Sequence, residues 1–442
     1  MTSRSTARLA WTSWSVAVGA YFLTVLNRSS LAVTVLEAGE RFGASASQLA
    51  GLTIAQIGVY ALLQLPVGVL LDRFRPRKLL VAGLWIMASA QLTFAWTTTY
   101  EVAAASRLLL GAGDALMFAS VLRLVATWFE GRRGVRLRHL TGHIGQAGTI
   151  AATTPMLFAL VHLGWSLTFV TLASLGVAVS VLVAFTVKDG SDTSDGRGAE
   201  RRPSSSGVRQ IVRNPGVRLA AWAHLVSQFP VTVLAMLWGY PFLVSGEGLS
   251  PELASTLLML IGFVWVGSGQ LIAVLVSRLP YWRARLVLGV VWLTIIPWTA
   301  VLLHPRPAPT WLLIVLICTV SLVGPVTMVA FDLARTFTPA SAIGKANAIV
   351  NAAGFTGSLI AMLMIGICLD VVEPRGSEYY DLRDFRVAMS TQYVLWLVGT
   401  IQVLRHRVRA LNYLDLDQPG VLDEIRAGRS FDCPEDPHSA RA

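Results

Sequence analysis

Residues 68–80 read GVLLDRFRPRKLL. One carboxylate, Asp72, and four cations, Arg73, Arg75, Arg77 and Lys78, crowd into a single short turn. Long apolar runs flank it, at approximately 49–71 and 79–97. About 20 apolar residues in a helix cross the hydrocarbon of a bilayer. A charged turn between two such runs is how a chain leaves a membrane and re-enters it.

The pattern repeats outward from that turn. Twelve apolar segments run approximately 10–35, 49–71, 79–97, 102–128, 139–161, 165–187, 217–243, 253–277, 286–303, 310–334, 344–369 and 387–404. Backbone polar groups find no water in hydrocarbon, so helices are expected. A β-barrel would show short alternating segments, and these runs are continuous. Composition agrees: of 442 residues, 54% are hydrophobic and 14% charged, and mean hydropathy is +0.60. Soluble domains carry about 25% charged residues.

The net charge is +11. In a soluble protein that would raise nucleic acid as a partner. Here the cations fall in clusters between apolar runs, so a lipid bilayer is expected and nucleic acid is not. With the N-terminus inside, 27 of the 36 cations fall in inner loops and only Arg41, Arg306, Arg375, Arg383 and Arg386 in outer ones. That places both termini in the cytoplasm of a multi-pass plasma-membrane protein. Trp11, Trp14, Trp96, Trp128, Trp282, Trp298 and Trp311 fall near segment ends, where interfacial anchors belong. The basic, then apolar start lacks a small-residue cleavage site and reads as an uncleaved first helix.

The longest break, KDGSDTSDGRGAERRPSSSGVRQIVRNPG at 188–216, is rich in Ser, Gly and charge and reads as a flexible linker. It divides the segments six and six. The expected organisation is an N-terminal bundle at 1–187, a cytoplasmic linker at 188–216, a C-terminal bundle at 217–404 and a polar, partly ordered cytoplasmic tail at 405–442. The halves echo each other: Gly145 and Gly148 recur at the spacing of Gly354 and Gly357. Duplicated halves are a transporter design.

Several chemistries are absent. The three cysteines, Cys318, Cys368 and Cys433, offer neither metal spacing nor a disulfide framework. No phosphate loop, G-x-S-x-G, H-E-x-x-H or catalytic carboxylate pair occurs. No cofactor, no metal and no enzymatic activity are expected.

Gly68, Leu70, Asp72, Arg73, Arg77 and Lys78 resemble the loop signature G-x-L-x-D-R-x-G-R-[RK] of the major facilitator superfamily. Arg75 stands where the second Gly is usual, and Pro76 where an Arg is usual. RLLLGAGDA, Arg107 to Ala115, is similar to that family's fourth-helix signature. The resemblance covers nearly the whole chain. It implies an all-α membrane fold of twelve transmembrane helices in two pseudo-symmetric bundles, working by alternating access about a midplane site. It also implies a gate at the signature loop, with Asp72 facing the start of the eleventh segment near Gly344. Arg77 with Glu130 is the expected second link, and Asp332 with Arg335 the equivalent in the other half. The gate set is therefore Gly68, Asp72, Arg73, Arg77, Lys78, Glu130, Asp332 and Arg335. The plainer reading, that these charges only set topology, does not account for Asp72, since acids contribute little to orientation.

A charge at membrane depth costs about 2.5–3.5 kcal/mol on insertion scales, so each needs a reason. Arg28 lies inside the first segment. Arg107 and Asp114 lie seven apart on the fourth, hence on one face. In the family these two segments line the cavity. The expected substrate residues are Arg28, Arg107, Asp114, Gln56 and Gln146. Two cations against one anion suit an anionic substrate, and Arg28-Ser29-Ser30 is similar to a pattern in the family's organic-anion transporters. A structural alternative stands beside this: an Arg28–Asp114 pair, with Arg107 on backbone carbonyls. Asp114, His143 and His224 are candidate proton carriers.

The expected function is secondary active transport of a small solute, an organic anion by the residues, with protons the candidate coupling ion and a monomer the working unit. The alternative is drug or metabolite efflux by proton antiport. The family's drug antiporters usually show a Gly-Pro pair on the fifth helix. Here Gly145-Gln146 and a displaced Pro155 stand instead.

Overall fold

The structure is a computed structural model that describes residues 3–129, 131–189, 208–339, 342–376 and 379–429, with 431 and 433. The first helices are α1 (Ser3–Ser29), α2 (Val35–Phe42), α3 (Ala46–Arg73), α4 (Pro76–Trp96), α5 (Tyr100–Trp128), α6 (Gly131–Ala151) and α7 (Thr154–Thr186). Next come α8 (Val208–Arg213), α9 (Pro215–Val233), α10 (Gly239–Pro241), α11 (Pro251–Arg278), α12 (Arg283–Leu302) and α13 (Thr310–Thr336). The last are α14 (Ile343–Val372), α15 (Leu382–Ser390), α16 (Gln392–Asp417) and α17 (Val421–Arg426). Two π-helical turns, Leu234–Trp238 and Phe242–Gly246, flank α10.

Among the described residues, eleven helical stretches are long and apolar enough to cross a membrane. The expected fifth segment, 139–161, is the one that differs. It breaks at Ala152 and Thr153, because Pro155 cannot continue a helix from α6 but suits the first turn of α7. α6 itself carries four arginines in its first half and is too polar to count as a span. Gly164, at φ 72°, then divides α7 into two helical pieces, close to the expected boundary between segments five and six.

Three further readings change. α1 ends at Ser29, and residues 30–34 form a buried turn before α2, whereas hydropathy carried the first helix to 35. Ser30 Oγ donates back to the Asn27 carbonyl at 2.8 Å, and Thr34 Oγ donates to Ser30 O at 3.0 Å, offering the backbone an alternative to helix. α16 runs through Arg405 to Asp417, and α17 follows, so helix continues where a polar tail was expected. Trp14 and Trp298 are buried, not interfacial. Trp14 donates to Thr141 Oγ at 3.2 Å, and Trp298 packs on Trp396.

Packing divides the chain into two units. The first holds residues 1–195 with 235–262 and 369–382. Its core includes Ala17, Ala20, Leu84, Met117, Val121 and Leu124. Gly83 and Gly113 set α4 against α5 so closely that a Cβ on either would strike the other's carbonyl. Gly145 and Gly148 set α6 against Tyr21 and Phe22 of α1 in the same way. Lipid gives helices no hydrophobic reason to associate, so small residues that permit close backbone contact take that role. The second unit holds 196–234, 263–368 and 383–442. There Gly354 and Gly357 of α14 abut His224 and Leu225 of α9. The glycine spacing shared by the two halves thus marks a helix contact in each. The stretches 235–262 and 369–382 are grouped with the first unit, far along the chain from its other residues. Residues 190–207 of the linker and 434–442 of the tail lie outside the described residues.

Candidate functional site

The first unit gathers the charges that the sequence places at membrane depth. Arg28 sits in the last turn of α1, where the negative end of the helix dipole favours a cation. Its guanidinium grips Asp114 of α5 in a two-pronged pair: Nε donates to Oδ2 and Nη2 to Oδ1, both at 2.6 Å. The Arg28 side chain keeps 19% exposure while that of Asp114 has 1%. The Tyr60 ring of α3 lies 4.6 Å beneath the guanidinium. Gln56, also on α3, donates to the Arg28 carbonyl at 3.1 Å, holding the end of α1.

Arg107 lies on the same face of α5 as Asp114, yet the two do not pair. It is 1% exposed and stacks on the Phe94 ring at 3.8 Å. Nη1 donates weakly to Ser30 Oγ and Gln56 Oε1, each at 3.4 Å. Nε and Nη2 are buried with no partner among the described residues. Buried donors without partners are costly, so this is a site with unspent hydrogen-bonding capacity. Gly111 brings α5 onto the Gln56 backbone and so fixes the distance between Arg107 and the α3 side chain that bonds the end of α1.

The structure therefore brings together Arg28, Arg107, Asp114 and Gln56. Both earlier readings contribute: the Arg28–Asp114 pair exists, but Arg107 is not satisfied by backbone carbonyls. Gln146 stands apart from the set, half-buried on α6, with its Oε1 accepting from Thr149 Oγ at 3.5 Å. His143 is half-buried on the same helix. His224 belongs to the second unit, 3% exposed, with Nδ1 at 3.2 Å from Thr327 O and its ring against Phe331.

At the signature turn, Arg73 and Lys78 are exposed, and a Cβ at Gly68 would meet nothing. The side chain of Asp72, and Glu130 as a whole, lie outside the described residues. The expected Arg77–Glu130 link therefore falls outside the described residues, while Arg77 meets a different carboxylate. The Arg77 backbone N–H donates to Asp189 Oδ1 at 2.9 Å, and its Nε stands 3.9 Å from Oδ2. The physical reason is local: α4 begins Arg75-Pro76 with no side-chain cap of its own, and a carboxylate satisfies its free N–H groups. In α13, Asp332 is half-buried and Arg335 exposed, the latter's carbonyl accepting from Cys433 N at 3.5 Å.

Comparisons with known proteins agree with this architecture. The family model for the Major Facilitator Superfamily matches residues 17–362. A probable L-galactonate transporter of Escherichia coli K12 is 29% identical over 177 residues, 39% of this chain and 38% of the relative. A probable sulfoacetate transporter, SauU of Cupriavidus necator, is 25% identical over 173 residues, 39% of this chain and 40% of the relative. The chain thus spans about two fifths of the length of these curated relatives. Among solved structures, a bacterial homolog of the human lysosomal transporter Spinster, inward-facing and unoccupied, superposes with a TM-score of 0.73 at 14% identity. That match covers 93% of this chain and 99% of the other. The occupied inward-facing form of the homolog gives 0.67 at 15% identity, over 89% and 96%. With a family match over most of its length and the fold to go with it, the chain belongs to the Major Facilitator Superfamily.

Proposed function

We propose that this protein carries a small organic anion across the plasma membrane by alternating access, with both termini cytoplasmic, as a monomer and in symport with protons. The observation that carries the reading is Arg107, a buried guanidinium with two nitrogens, Nε and Nη2, unpartnered among the described residues, beside an Arg28 already engaged by Asp114. Two cations and one carboxylate leave the site one charge short of neutral. A carboxylate or sulfonate supplies that charge and offers oxygens to both guanidinium groups. The names of the two curated relatives, galactonate and sulfoacetate transporters, are those of organic anions.

The same geometry suggests how a proton takes part. A substrate anion competes with Asp114 for Arg28. Once displaced, the Asp114 carboxylate stands buried without its counter-charge, which is costly. A proton removes that charge, so anion and proton arrive together.

The test is uptake into proteoliposomes of labelled L-galactonate, sulfoacetate, a neutral sugar and an organic cation. An imposed inward proton gradient should concentrate one of the anions. Arg107→Gln should lower that uptake by roughly tenfold or more, and Asp114→Asn should remove its dependence on the gradient. Uptake of the neutral or cationic solute in place of the anions would overturn the reading.

A further inference from the structure

One end of the second unit holds a recess of about 450 Å³, partly open at the surface. The starts of α9 and α12 and the ends of α13 and α16 meet there. Leu219, Leu333, Phe337, Leu411 and Leu414 give it an apolar floor. The short 3₁₀ turn Pro280–Trp282 and α17 contribute Tyr281 and Ile425 to its wall. The charged residues that line it are Arg283 and Arg407, with no acid among the described residues of the lining.

Arg407 is the informative one. It is half-buried, while Arg405 and Arg409 beside it on α16 are exposed. Its guanidinium lies 5.1 Å from the Tyr281 ring, and that of Arg426 stands over the same ring at 5.8 Å. Arg426 has an acid of its own, since Nη1 donates to Asp423 Oδ1 at 3.1 Å. Arg283 Nη1 donates to Thr336 Oγ at 3.2 Å. Arg407 Nη2 is buried with no hydrogen-bond partner among the described residues. A charged donor left so is costly. Setting topology does not require it, because an exposed arginine serves that purpose equally.

We infer that this recess seats the head group of an anionic phospholipid. The chemistry recognised is a phosphate: Arg407 Nη2 supplies a charged donor, and Arg283 and Arg426 add to the positive field around it. The setting selects the lipid as its source. Basic pockets between helix ends at the inner membrane surface hold such head groups. The apolar floor suits the glycerol and the first methylenes of the chains, for which a free phosphate has no use. Trp282, 47% exposed, stands at the same turn with Arg285 at 4.6 Å from its ring, as residues at head-group level do. A lipid held there bridges α12, α16 and α17 and braces that end of the unit. The inference goes beyond the transport reading and draws on it only for the orientation that puts these helix ends at the inner leaflet.

Native mass spectrometry of the purified full chain tests it, with dioleoylphosphatidylglycerol, dioleoylphosphatidylcholine and inorganic phosphate as probes. Phosphatidylglycerol should be retained where phosphatidylcholine is lost, and should raise the melting temperature. Arg407→Gln should lower that retention about tenfold, the effect of losing a charged hydrogen-bonding group. Arg285→Gln, which removes an exposed cation outside the recess, should leave it unchanged. If Arg407→Gln does not accumulate, Arg407→Lys keeps the charge without the fork and should lower retention about threefold. Equal retention of the two lipids, unchanged retention in the Arg407 variant, or an equal fall in Arg285→Gln overturns the site. Thermal protection by inorganic phosphate without lipid retention also overturns it, by making the ligand a soluble phosphate. No solute is carried in this experiment, so it and the uptake experiment can fail separately.

Discussion

Glu37 of α2 is half-buried, and its Oε2 has no hydrogen-bond partner among the described residues. It lies between the first two spans, outside both. Burial pushes its carboxyl up to about 7, a backbone hydrogen bond opposes this, and Glu40 adds to the rise. Around it stand Glu40 and Arg41 on its own helix, with Tyr240 of α10 close enough to share its field. The sign of the pH effect follows. Between pH 4.5, the ordinary value, and about 7, the folded protein keeps a proton that the unfolded chain releases. Stability is then greatest at the acid end of that window and is lost as pH rises through it. Glu37→Gln should flatten the decline, read as melting temperature across the window, and should raise it on the alkaline side. A mutant that declines as steeply as the parent would show that other groups dominate. Glu37 went unmarked in the sequence, as did Asp189. Both are carboxylates near loop ends, where acids are common, and Asp189 meets its partner Arg77 across 112 positions. Arg28, Arg107 and Asp114 stood out because each interrupts an apolar run, where a charge costs enough to need a reason.

Helices are positioned here by residues with no side chain to spare. Gly111 presses α5 on the backbone of α3 at Gln56, and that contact carries the site, since Gln56 bonds Arg28 and Arg107 stands one turn before Gly111. Gly111→Ala would place a methyl group against the Gln56 carbonyl. Overpacking of that kind costs about 1–3 kcal/mol. Melting temperature should fall, and substrate affinity should fall with it, because α3 and α5 are forced apart. An unchanged affinity in folded protein would mean that Gln56 does not set the site. At this scale the sequence was legible wherever apolar length decides: the ends of α3, α4, α5 and α13 fall within a few residues of the expected segments. It failed where backbone turns without changing polarity. Leu31, Ala32 and Val33 are apolar and buried, so the break between α1 and α2 leaves no trace in hydropathy. It failed again where a helix outlasts its apolar face, as α16 does beyond Arg405.

For the whole molecule, composition and charge placement carry most of the argument. Large apolar side chains such as Leu62, Phe185 and Val371 are more than 70% exposed, which suits a surface that faces lipid. Packing groups 235–262 and 369–382 with the first unit, and contacts between stretches so far apart in the chain leave no local pattern in the sequence. Orientation is the remaining global property, and it rests on cations: 27 on one side against five on the other. The proposed orientation has Cys433 on the cytoplasmic side and Arg306, exposed in the turn between α12 and α13, on the outer side. Two single-cysteine forms, each without Cys318 and Cys368, separate the outcomes. One keeps Cys433, and the other carries Cys433→Ser with Arg306→Cys. A membrane-impermeant maleimide added to intact cells should label the second and spare the first. Permeabilised cells should label both. Labelling of Cys433 in intact cells would invert the proposed topology, and with it the assignment of the signature turn at 68–80 to the inner face.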